Sequence, residues 1–507
     1  MKSRRTGGGL ALFYLRGGLP WAGGAKGREG VWTTPRSGAG KGGVRIGERL
    51  DGHELCCQSY SLLHPILPDT PGPSPDNSCP SLEKVEIFSG LKFGGWGVCW
   101  RGVKFLLLNQ TFYPDVMATG QYLSEVAARL AARGHEVTVV TSRRAYDDPS
   151  RQFVRRETWR GVRILRAGST GLGKGAKWRR AADFGTYLAS CCARAALLPR
   201  HDAVVALTTP PLISFAGAWL ARWRRSRFFY WVMDFNPDEA IAAGWLRAGS
   251  PAARLLERMS RFSLRQATRV IALDRFMRDR IAAKGIPPER IVVLPPWSHD
   301  GEVRYDAAGR ERFRRAHGLE GKFVVMYSGN HSPVHPLDTL LEAARRLAGQ
   351  PDVVFCFVGG GSEWRRIQQE TGAGAGTGAI RCLPYQPLAE LSASLSAADL
   401  QVVVMGDAMR GLVHPCKIYN ILGVGAPVLY IGPSPSHITE ILGARPELQG
   451  WPWASVRHGQ VEEVVRAILR FRQEAPARFE PGPGVCAAFG RETILPQLIE
   501  VLETAKP

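Results

Sequence analysis

The sequence predicts an α/β protein in which two Rossmann-like domains face a cleft, preceded by a low-order extension. Three observations lead to this prediction. The chain has 507 residues, which is too long for one domain and suits two. From residue 103 onward, short apolar runs alternate with segments of helical periodicity, as in a doubly wound sheet with right-handed crossovers. The alternation restarts after Pro295-Pro296-Trp297, a stiff loop that we interpret as the hinge region.

The predicted domains are 103–297 and 298–475, and we expect a C-terminal helical segment, 476–507, to pack back on the first domain. Residues 1–102 differ because glycine-rich and proline-rich stretches alternate with scattered basic residues, and no period persists. Such a segment cannot bury enough apolar surface to offset its chain entropy. Since a valine codon can start bacterial translation, we also consider that the native chain begins at Val103 and that the extension is an artefact of gene calling.

The first domain follows the strand–helix pattern throughout. Lys104–Asn109 is short and apolar, as expected for a buried parallel strand. Tyr122–Arg133 carries apolar residues at helical spacing, and Gly134 after it predicts a C-cap. Further strands are predicted at Val137–Thr141, Arg163–Arg166, Ala203–Leu207 and Arg227–Val232, with helices around 181–197 and 212–224.

The second domain repeats the same pattern. Its apolar runs end in turn residues, most clearly where Val353–Gly359 runs into a glycine triplet. The other predicted strands are Phe323–Ser328, Ile380–Leu383, Leu400–Met405 and a buried run after Pro427, and the helices are Leu337–Ala348, Glu363–Glu370, Leu388–Ala397 and a stretch ending at Gly425. In such sheets, ligands bind at the carboxyl ends of the strands.

The bulk composition restricts partners and compartment. A formal net charge of +21 favours anionic partners, namely nucleic acid, phosphorylated substrates or an acidic membrane surface. The ten cysteines form no Cys-x-x-Cys pair and no Cys/His cluster with zinc-ligand spacing, so we predict no metal site and a reducing, cytoplasmic compartment. No apolar run reaches about 18 residues, so we expect no spanning helix.

The run around Lys417 is the most informative part of the chain. A polar loop with one lysine precedes an apolar helical stretch, and the loop follows a predicted strand end. A lysine beside a helix N-terminus makes a compact positive site, because free backbone N–H groups and the helix dipole add to its charge. Such a site suits a diphosphate. A solvated lysine on an ordinary strand–loop–helix unit would also fit the run.

Several short motifs, taken in order and spacing, resemble family 4 glycosyltransferases of the GT-B fold, in particular the bacterial colanic-acid and O-antigen transferases. The resemblance covers about residues 103–500, and each motif alone is weak. The motifs are Tyr113-Pro114 through Gly120, Leu130 through Val137, Thr208 through Pro211, Asp234 through Pro237, Leu294 through Trp297, Tyr327 through Asn330, and Pro415 through Tyr419.

The resemblance implies transfer of a hexose-type sugar from a nucleotide-diphosphate donor to an acceptor hydroxyl, with retention of configuration. It implies a donor in the second domain and, in the first, a lipid-linked saccharide acceptor of cell-surface polysaccharide or lipopolysaccharide synthesis. No metal or other cofactor is expected, because cationic groups stabilise the leaving diphosphate. We predict Lys417 for that role and Asp234 for orienting or deprotonating the acceptor hydroxyl. Asp234 before Asn-Pro would also simply cap a turn, and we interpret Glu239 as a solvated charge.

The remaining predicted contacts lie in loops. Backbone N–H groups after a strand, close approach at glycines and polar side chains near the lysine are the reasons for the predicted donor contacts. These are Gly329, Asn330, His331, His335, Gly360, Gly361, Pro415, Tyr419 and Asn420. In the first domain, Thr119 and Gly120 are predicted to meet the diphosphate when the cleft closes. Tight turns and solvated histidines explain several of these positions equally well.

The chain also departs from the family pattern. Many members carry two glutamates eight positions apart around the lysine loop, and alignment on Gly425-Ala-Pro427 places Leu412 and Asn420 there. The sub-branch built on Pro-Ser-Lys is more similar, with Cys416 in place of serine. These departures leave the donor sugar and nucleotide open.

Two basic and aromatic segments of the first domain favour contact with an anionic membrane surface. They are 174–180 and 219–225, each with tryptophan beside arginine. A solvated helix face would have the same composition. Two other functions remain alternatives: a GT-B nucleotide-sugar 2-epimerase, which needs further acid–base carboxylates, and a basic nucleic-acid binder. The second is disfavoured, because no helix-turn-helix, zinc-finger or ribonucleoprotein motif occurs.

Overall fold

The computed structural model describes residues 102–506 except 116, 147, 149, 174–176, 299–302, 373–378 and 481–487. The described residues belong to one compact unit. The predictions made for residues 1–101 and for Lys174 lie outside the described residues. Within the described residues the protein is α/β, with two sheets that define two lobes.

The elements alternate along the chain, and those predicted from the sequence are present, whereas the elements between residues 238 and 316 and between 437 and 474 were not predicted. The strands are β1 Lys104–Leu108, β2 Glu136–Ser142, β3 Arg156–Trp159, β4 Val162–Ala167, β5 Ala203–Ala206, β6 Arg227–Trp231, β7 Arg269–Ala272, β8 Ile291–Val293, β9 Phe323–Asn330, β10 Val353–Gly360, β11 Ile380–Leu383, β12 Leu400–Val404, β13 Val428–Ile431 and β14 Trp453–Val456. The helices are α1 Ala118–Ala132, α2 Lys177–Leu197, α3 Ile213–Arg224, α4 Asp238–Ala242, α5 Pro251–Gln266, α6 Arg275–Ala283, α7 Ala307–Ala316, α8 Asp338–Arg346, α9 Ser362–Gly372, α10 Leu388–Ser396, α11 Lys417–Gly423, α12 His437–Ala444, α13 Val461–Glu474 and α14 Arg491–Thr504.

The first lobe contains an eight-stranded sheet in the order β3-β4-β2-β1-β5-β6-β7-β8. Seven strands run parallel, and β3 pairs antiparallel with β4 at the edge. The sequence analysis missed β3, because its residues alternate between exposed and half-buried positions and form no apolar run. The central strand β1 is buried from Phe105 to Leu108, since helices cover both faces of a parallel sheet.

The second lobe contains six parallel strands in the order β11-β10-β9-β12-β13-β14. The strands β9, β12 and β13 lie side by side at its centre, so their carboxyl ends meet at one edge. The loops after β9 and β12 therefore lie next to each other, and they carry the histidines and the lysine singled out above.

The last helix, α14, packs against the first lobe although the second lobe precedes it in the chain. Its apolar face, which includes Leu498, joins the hydrophobic core of the first lobe. At its two ends, Glu492 pairs with Arg129 at 2.7 Å and Glu503 pairs with Arg133 at 2.8 Å, both on or next to α1. Within the described part of the chain, no helix combines the length and the apolar character needed to cross a membrane.

Candidate functional site

Lys417 opens α11 at the carboxyl edge of the second sheet. Its Nζ lies 3.2 Å from the centre of the Tyr327 ring, over the aromatic face. The ammonium is buried and has no hydrogen-bond partner among the described residues. A cation–π contact offsets only part of the cost of removing an ammonium from water. Burial accordingly lowers the pKa of Lys417 well below its ordinary value.

Two histidines lie beside the lysine, and both carry a buried nitrogen without a partner. His331 Nδ1 is 2.8 Å from the Gly329 carbonyl oxygen, whereas its Nε2 is unpaired within the described residues. His335 Nδ1 is likewise unpaired there. Burial, together with the neighbouring ammonium of Lys417, lowers the pKa of each histidine to about 3. The Lys417 ammonium is an unpaired buried donor that an anion would satisfy, whereas the free Nε2 of neutral His331 is an acceptor, because its Nδ1 donates to the Gly329 oxygen.

Close packing of the backbone explains glycine at the ends of the two strands beside Lys417. Strand β9 extends to Asn330, further than predicted, and pairs with β10 through Gly329–Gly359 and Asn330–Gly360. Gly359 has a φ of +139°, and a Cβ atom there would lie 2.0 Å from the Gly329 carbonyl oxygen, so only glycine fits. The expectation that the His331 backbone N–H faces a phosphate is wrong, because this N–H donates to the Gly360 oxygen at 2.8 Å.

The other predicted contacts differ in how accessible they are. At Gly361 a Cβ atom would lie 2.2 Å from the His331 oxygen, so protein backbone already occupies that side. Tyr419 is buried, and its hydroxyl bonds to His414 Nε2 at 2.7 Å. Pro415 is buried and Asn420 is half-buried on α11. The predicted contacts of these residues with the sugar donor remain predictions.

In the first lobe, α1 begins four residues before the predicted start, so Thr119 and Gly120 lie in its first turn. The Thr119 hydroxyl is 2.9 Å from the Thr111 hydroxyl. A Cβ atom at Gly120 would lie 3.1 Å from the Phe112 nitrogen, so glycine permits the close approach of the loop after β1. Close packing against the loop after β1 therefore explains glycine at position 120. Its contact with a diphosphate remains a prediction.

Asp234 and Glu239 form a half-buried carboxyl pair at the carboxyl end of β6. The Asp234 backbone N–H donates to Thr208 Oγ1 at 3.3 Å, and Asn236 Nδ2 donates to Glu239 Oε2 at 3.3 Å. Burial raises the pKa of Asp234 to about 6. Burial and the neighbouring Asp234 charge raise the pKa of Glu239 to about 8. Glu239 lies in the first turn of α4, and the interpretation of it as a solvated charge is wrong, because its side chain is half-buried there.

The sequence analysis also missed a cluster at the boundary of the two lobes. Asp274, which caps α6 of the first lobe, accepts from His414 Nδ1 at 2.8 Å, and His414 precedes Lys417 in the same loop. The His437 ring stacks on the His414 ring at 3.8 Å. Burial opposes ionisation of Asp274, but the His414 hydrogen bond and charge interaction outweigh it and lower the pKa to about 2. No sequence signal joins residues this far apart along the chain.

These three residues also meet the geometric requirement for a metal site, because their ligand atoms lie within 4.8 Å of one another. Protein groups already satisfy His414 on both sides, since Asp274 binds Nδ1 and Tyr419 binds Nε2. The nearest approach of His437 Nδ1 to the carboxylate is 3.7 Å. We therefore interpret the cluster as a hydrogen-bonded contact between lobes.

Comparisons with known proteins support one family. The profile of the Glycosyl transferase 4-like domain matches residues 118–297. A putative colanic acid biosynthesis glycosyl transferase, WcaI of Escherichia coli K12, is 26% identical over 343 residues, covering 64% of this chain and 82% of that protein. A probable glycosyltransferase, WbjE of Pseudomonas aeruginosa, is 27% identical over 250 residues, covering 48% of this chain and 60% of that protein.

Solved structures show the same fold at low sequence identity. Sucrose-phosphate synthase of Thermosynechococcus elongatus has a TM-score of 0.59 at 16% identity and covers 78% of this chain and 98% of its own. Anabaena Alr3699/HepE, solved with UDP and glucose, has a TM-score of 0.58 at 16% identity and covers 79% of this chain and 100% of its own. The two-lobed architecture described above is therefore the GT-B fold.

Proposed function

We propose that the protein is a family 4 glycosyltransferase, which its similarity to the Glycosyl transferase 4-like domain and to the two bacterial glycosyltransferases supports. The proposed reaction moves a hexosyl group from a nucleoside-diphosphate sugar to an acceptor hydroxyl and retains the anomeric configuration. The observation that carries this proposal is the buried Lys417 ammonium, which has no hydrogen-bond partner among the described residues. Its location at the carboxyl ends of the central strands is where ligands of doubly wound sheets bind.

Lys417 is proposed to stabilise the leaving diphosphate. Negative charge develops on the leaving phosphate oxygen during transfer, and a preorganised ammonium in a site of low dielectric constant stabilises that charge. His331 and His335 are neutral at pH 7, because burial holds their pKa values at about 3. The neutral His331 ring donates through Nδ1 to the Gly329 oxygen, and His335 makes a hydrogen bond with the Val404 backbone. The remaining nitrogen of each neutral ring is an acceptor, so the donor to the diphosphate is proposed to be Lys417 alone. The diphosphate is thus proposed to bind protein groups directly, without a metal ion.

The Asp234–Glu239 pair is proposed to act on the acceptor. Between pH 6 and pH 8 the pair holds one proton and one negative charge, since the two pKa values are about 6 and about 8. The ionised carboxylate accepts a hydrogen bond from the acceptor hydroxyl and orients it toward the sugar. The protonated neighbour keeps the second charge out of a half-buried site.

The acceptor is proposed to be a lipid-linked saccharide of polysaccharide synthesis, reached by a protein that lies peripherally on the cytoplasmic face of the membrane. Three tryptophans on the helices α2 and α3 support this, because they are more than half exposed although each is large and apolar. They are Trp178, at 63%, Trp219, at 54%, and Trp223, at 56%. Arginines lie beside all three, a combination that suits an interface with anionic lipid.

A panel of UDP-, GDP- and ADP-sugars tests the proposed reaction, with UDP-glucose first because the Anabaena relative was solved with UDP and glucose. Release of the nucleoside diphosphate and the anomeric coupling constant of the product report transfer and stereochemistry. Conversion of the donor to a 2-epimer without an acceptor would instead support the epimerase alternative.

Lys417→Ala tests the role of the ammonium. We expect it to weaken UDP binding by about 10- to 100-fold, the loss of one charge-assisted hydrogen bond, and to leave the binding of free sugar unchanged. Lys322→Ala is the matched control, because this lysine lies on the surface of the same lobe and donates to the Pro351 oxygen at 2.9 Å. Isothermal titration calorimetry measures both. Equal losses for UDP and free sugar would remove Lys417 from the proposed role.

A further inference from the structure

The loop that carries Lys417 belongs to the second lobe by sequence but is attached to the first. Leu412, in the loop between β12 and α11, is 2% exposed and is part of the first lobe's hydrophobic core. The Phe235 backbone N–H donates to the Leu412 oxygen at 2.8 Å. Arg280 Nε donates to the Arg410 oxygen at 2.7 Å. The loop is therefore packed on, and hydrogen-bonded to, the lobe opposite its own sheet.

A further attachment lies three residues before the lysine. Asp274 of the first lobe binds His414 Nδ1, and His414 Nε2 binds the hydroxyl of Tyr419. Tyr419 lies in the first turn of α11, which Lys417 opens. All three side chains of this chain of hydrogen bonds are buried, so water does not compete with it. Displacing Asp274 from His414 would leave the buried carboxylate only the Met277 N–H on its other oxygen, so the loss of the histidine partner is costly.

We propose that Asp274 and His414 are positioning residues for the transfer: their hydrogen bond across the lobe boundary holds the Lys417 loop in register with the acceptor lobe. This inference rests on the proposed function of Lys417. The donor contacts lie in the second lobe, whereas transfer needs both lobes in fixed relation. Loss of the bond is therefore expected to lower kcat more than donor affinity, because a misplaced ammonium acts chiefly on the transition state.

Two substitutions of the same histidine separate its two hydrogen bonds. His414→Asn keeps a donor near the position of Nδ1, within reach of Asp274, and loses the contact with Tyr419. His414→Gln places its amide near the position of Nε2 and loses the donor to Asp274. We expect His414→Gln to lower kcat ten- to hundredfold with the Kd for UDP changed less than threefold. His414→Asn should lower kcat by less than His414→Gln, because it keeps the bond to Asp274 and loses only the bond to Tyr419.

A double substitution and a matched control complete the kinetic test. Asp274→Asn combined with His414→Gln should lower kcat no further than His414→Gln alone, since both act through one bond. Glu440→Gln removes the ion pair with Arg275, which also crosses the lobe boundary but lies outside the Lys417 loop. It should leave kcat within about twofold. A loss as large as that of His414→Gln would overturn the proposal, because any tether between lobes would then suffice.

Hydrogen–deuterium exchange gives a readout that does not depend on activity. His414→Gln should raise exchange in residues 406–423, and His414→Asn should raise it by less. If the wild type turns over no donor but exchange changes as expected, the proposed function fails and the attachment stands. If both variants exchange like wild type, or if His414→Asn loses as much kcat as His414→Gln while remaining folded, the positioning role of the Asp274–His414 bond is wrong.

Discussion

At the scale of single residues, the sequence identified the side chains that bear charge at strand ends but not their protonation. Lys417 and Asp234 were selected because a polar residue follows an apolar strand, and both lie at sheet edges in the structure. Glu239 was misjudged, because its burial depends on neighbours contributed by the folded chain. The pairing of Asp274 with His414 left no trace in the sequence, since it joins two loops from different sheets.

The Asp234–Glu239 pair predicts an inverse dependence of stability on pH. The pKa of Glu239 is raised to about 8, so the folded state holds a proton that the unfolded state releases above about pH 4.3. The free energy of unfolding therefore falls as pH rises from about 4.3 to 8 and levels off above it. Glu239→Gln has no such proton to lose. We therefore expect the free energy of unfolding of the variant, relative to that of wild type, to increase by roughly 1–2 kcal/mol between pH 5 and pH 8.5, a value reduced to allow for residual solvent contact.

Urea unfolding at pH 5, 7 and 8.5 measures this dependence. Glu311→Gln, an exposed glutamate on α7, is the control and should change the free energy of unfolding by less than about 0.5 kcal/mol. A Glu239→Gln difference that stays constant across the three pH values would show that the glutamate is ionised in the folded protein throughout the range.

At the scale of elements, apolar runs and the turn residues that end them predict many of the strands and helices in their order along the chain. Gly134 illustrates a success: it has a φ of +85°, and the His135 N–H donates to the Leu130 oxygen at 3.2 Å, so α1 ends as the sequence predicts. The strands β3 and β7 illustrate the limit. β3 carries no apolar period, and β7, Arg269–Ala272, has only three apolar residues between an arginine and the Leu273-Asp274 turn, so the sequence analysis did not separate it from a loop.

The helix α14 predicts a specific packing energy. Leu498 is 1% exposed in the core of the first lobe, whereas Glu500 on the same helix is exposed. Leu498→Ala should lower the free energy of unfolding by about 2–5 kcal/mol, because it removes buried methyl groups and leaves a cavity. Glu500→Ala, measured by the same urea titration, should change it by less than about 0.5 kcal/mol. Similar small losses for both would mean that α14 is not docked in solution.

At the scale of the whole molecule, one group of basic residues has a structural role that the net charge of +21 alone did not indicate. Six arginines and Lys506 line a cavity of about 800 Å³ at the amino ends of β5 to β8. There Arg227 donates to three carbonyl oxygens at the end of α14, and Arg290 donates to the Arg265 oxygen at the end of α5. Helix C-termini attract cations, so these arginines do not by themselves indicate nucleic acid.

The proposed membrane contact belongs to the same scale, because it needs a surface and not a single site. Trp219 and Trp223 stack at 5.8 Å on α3, with Arg222 and Arg225 beside them. We expect the protein to float with vesicles containing anionic phosphatidylglycerol at low salt and to be released at about 0.5 M salt, where the Debye length falls to a few Å. Vesicles of neutral phosphatidylcholine should bind less.

Three variants separate the contributions to flotation. Trp219→Ala/Trp223→Ala removes the apolar anchors, and Arg222→Gln/Arg225→Gln removes two charges that neighbour them in the sequence. Both should at least halve the floating fraction, since each basic residue near an anionic surface contributes about 1 kcal/mol. Arg466→Gln/Arg470→Gln removes the same charge from α13 of the second lobe and should float like wild type. If this control falls equally, the attraction is a property of net charge, and no particular face of the first lobe contacts the lipid.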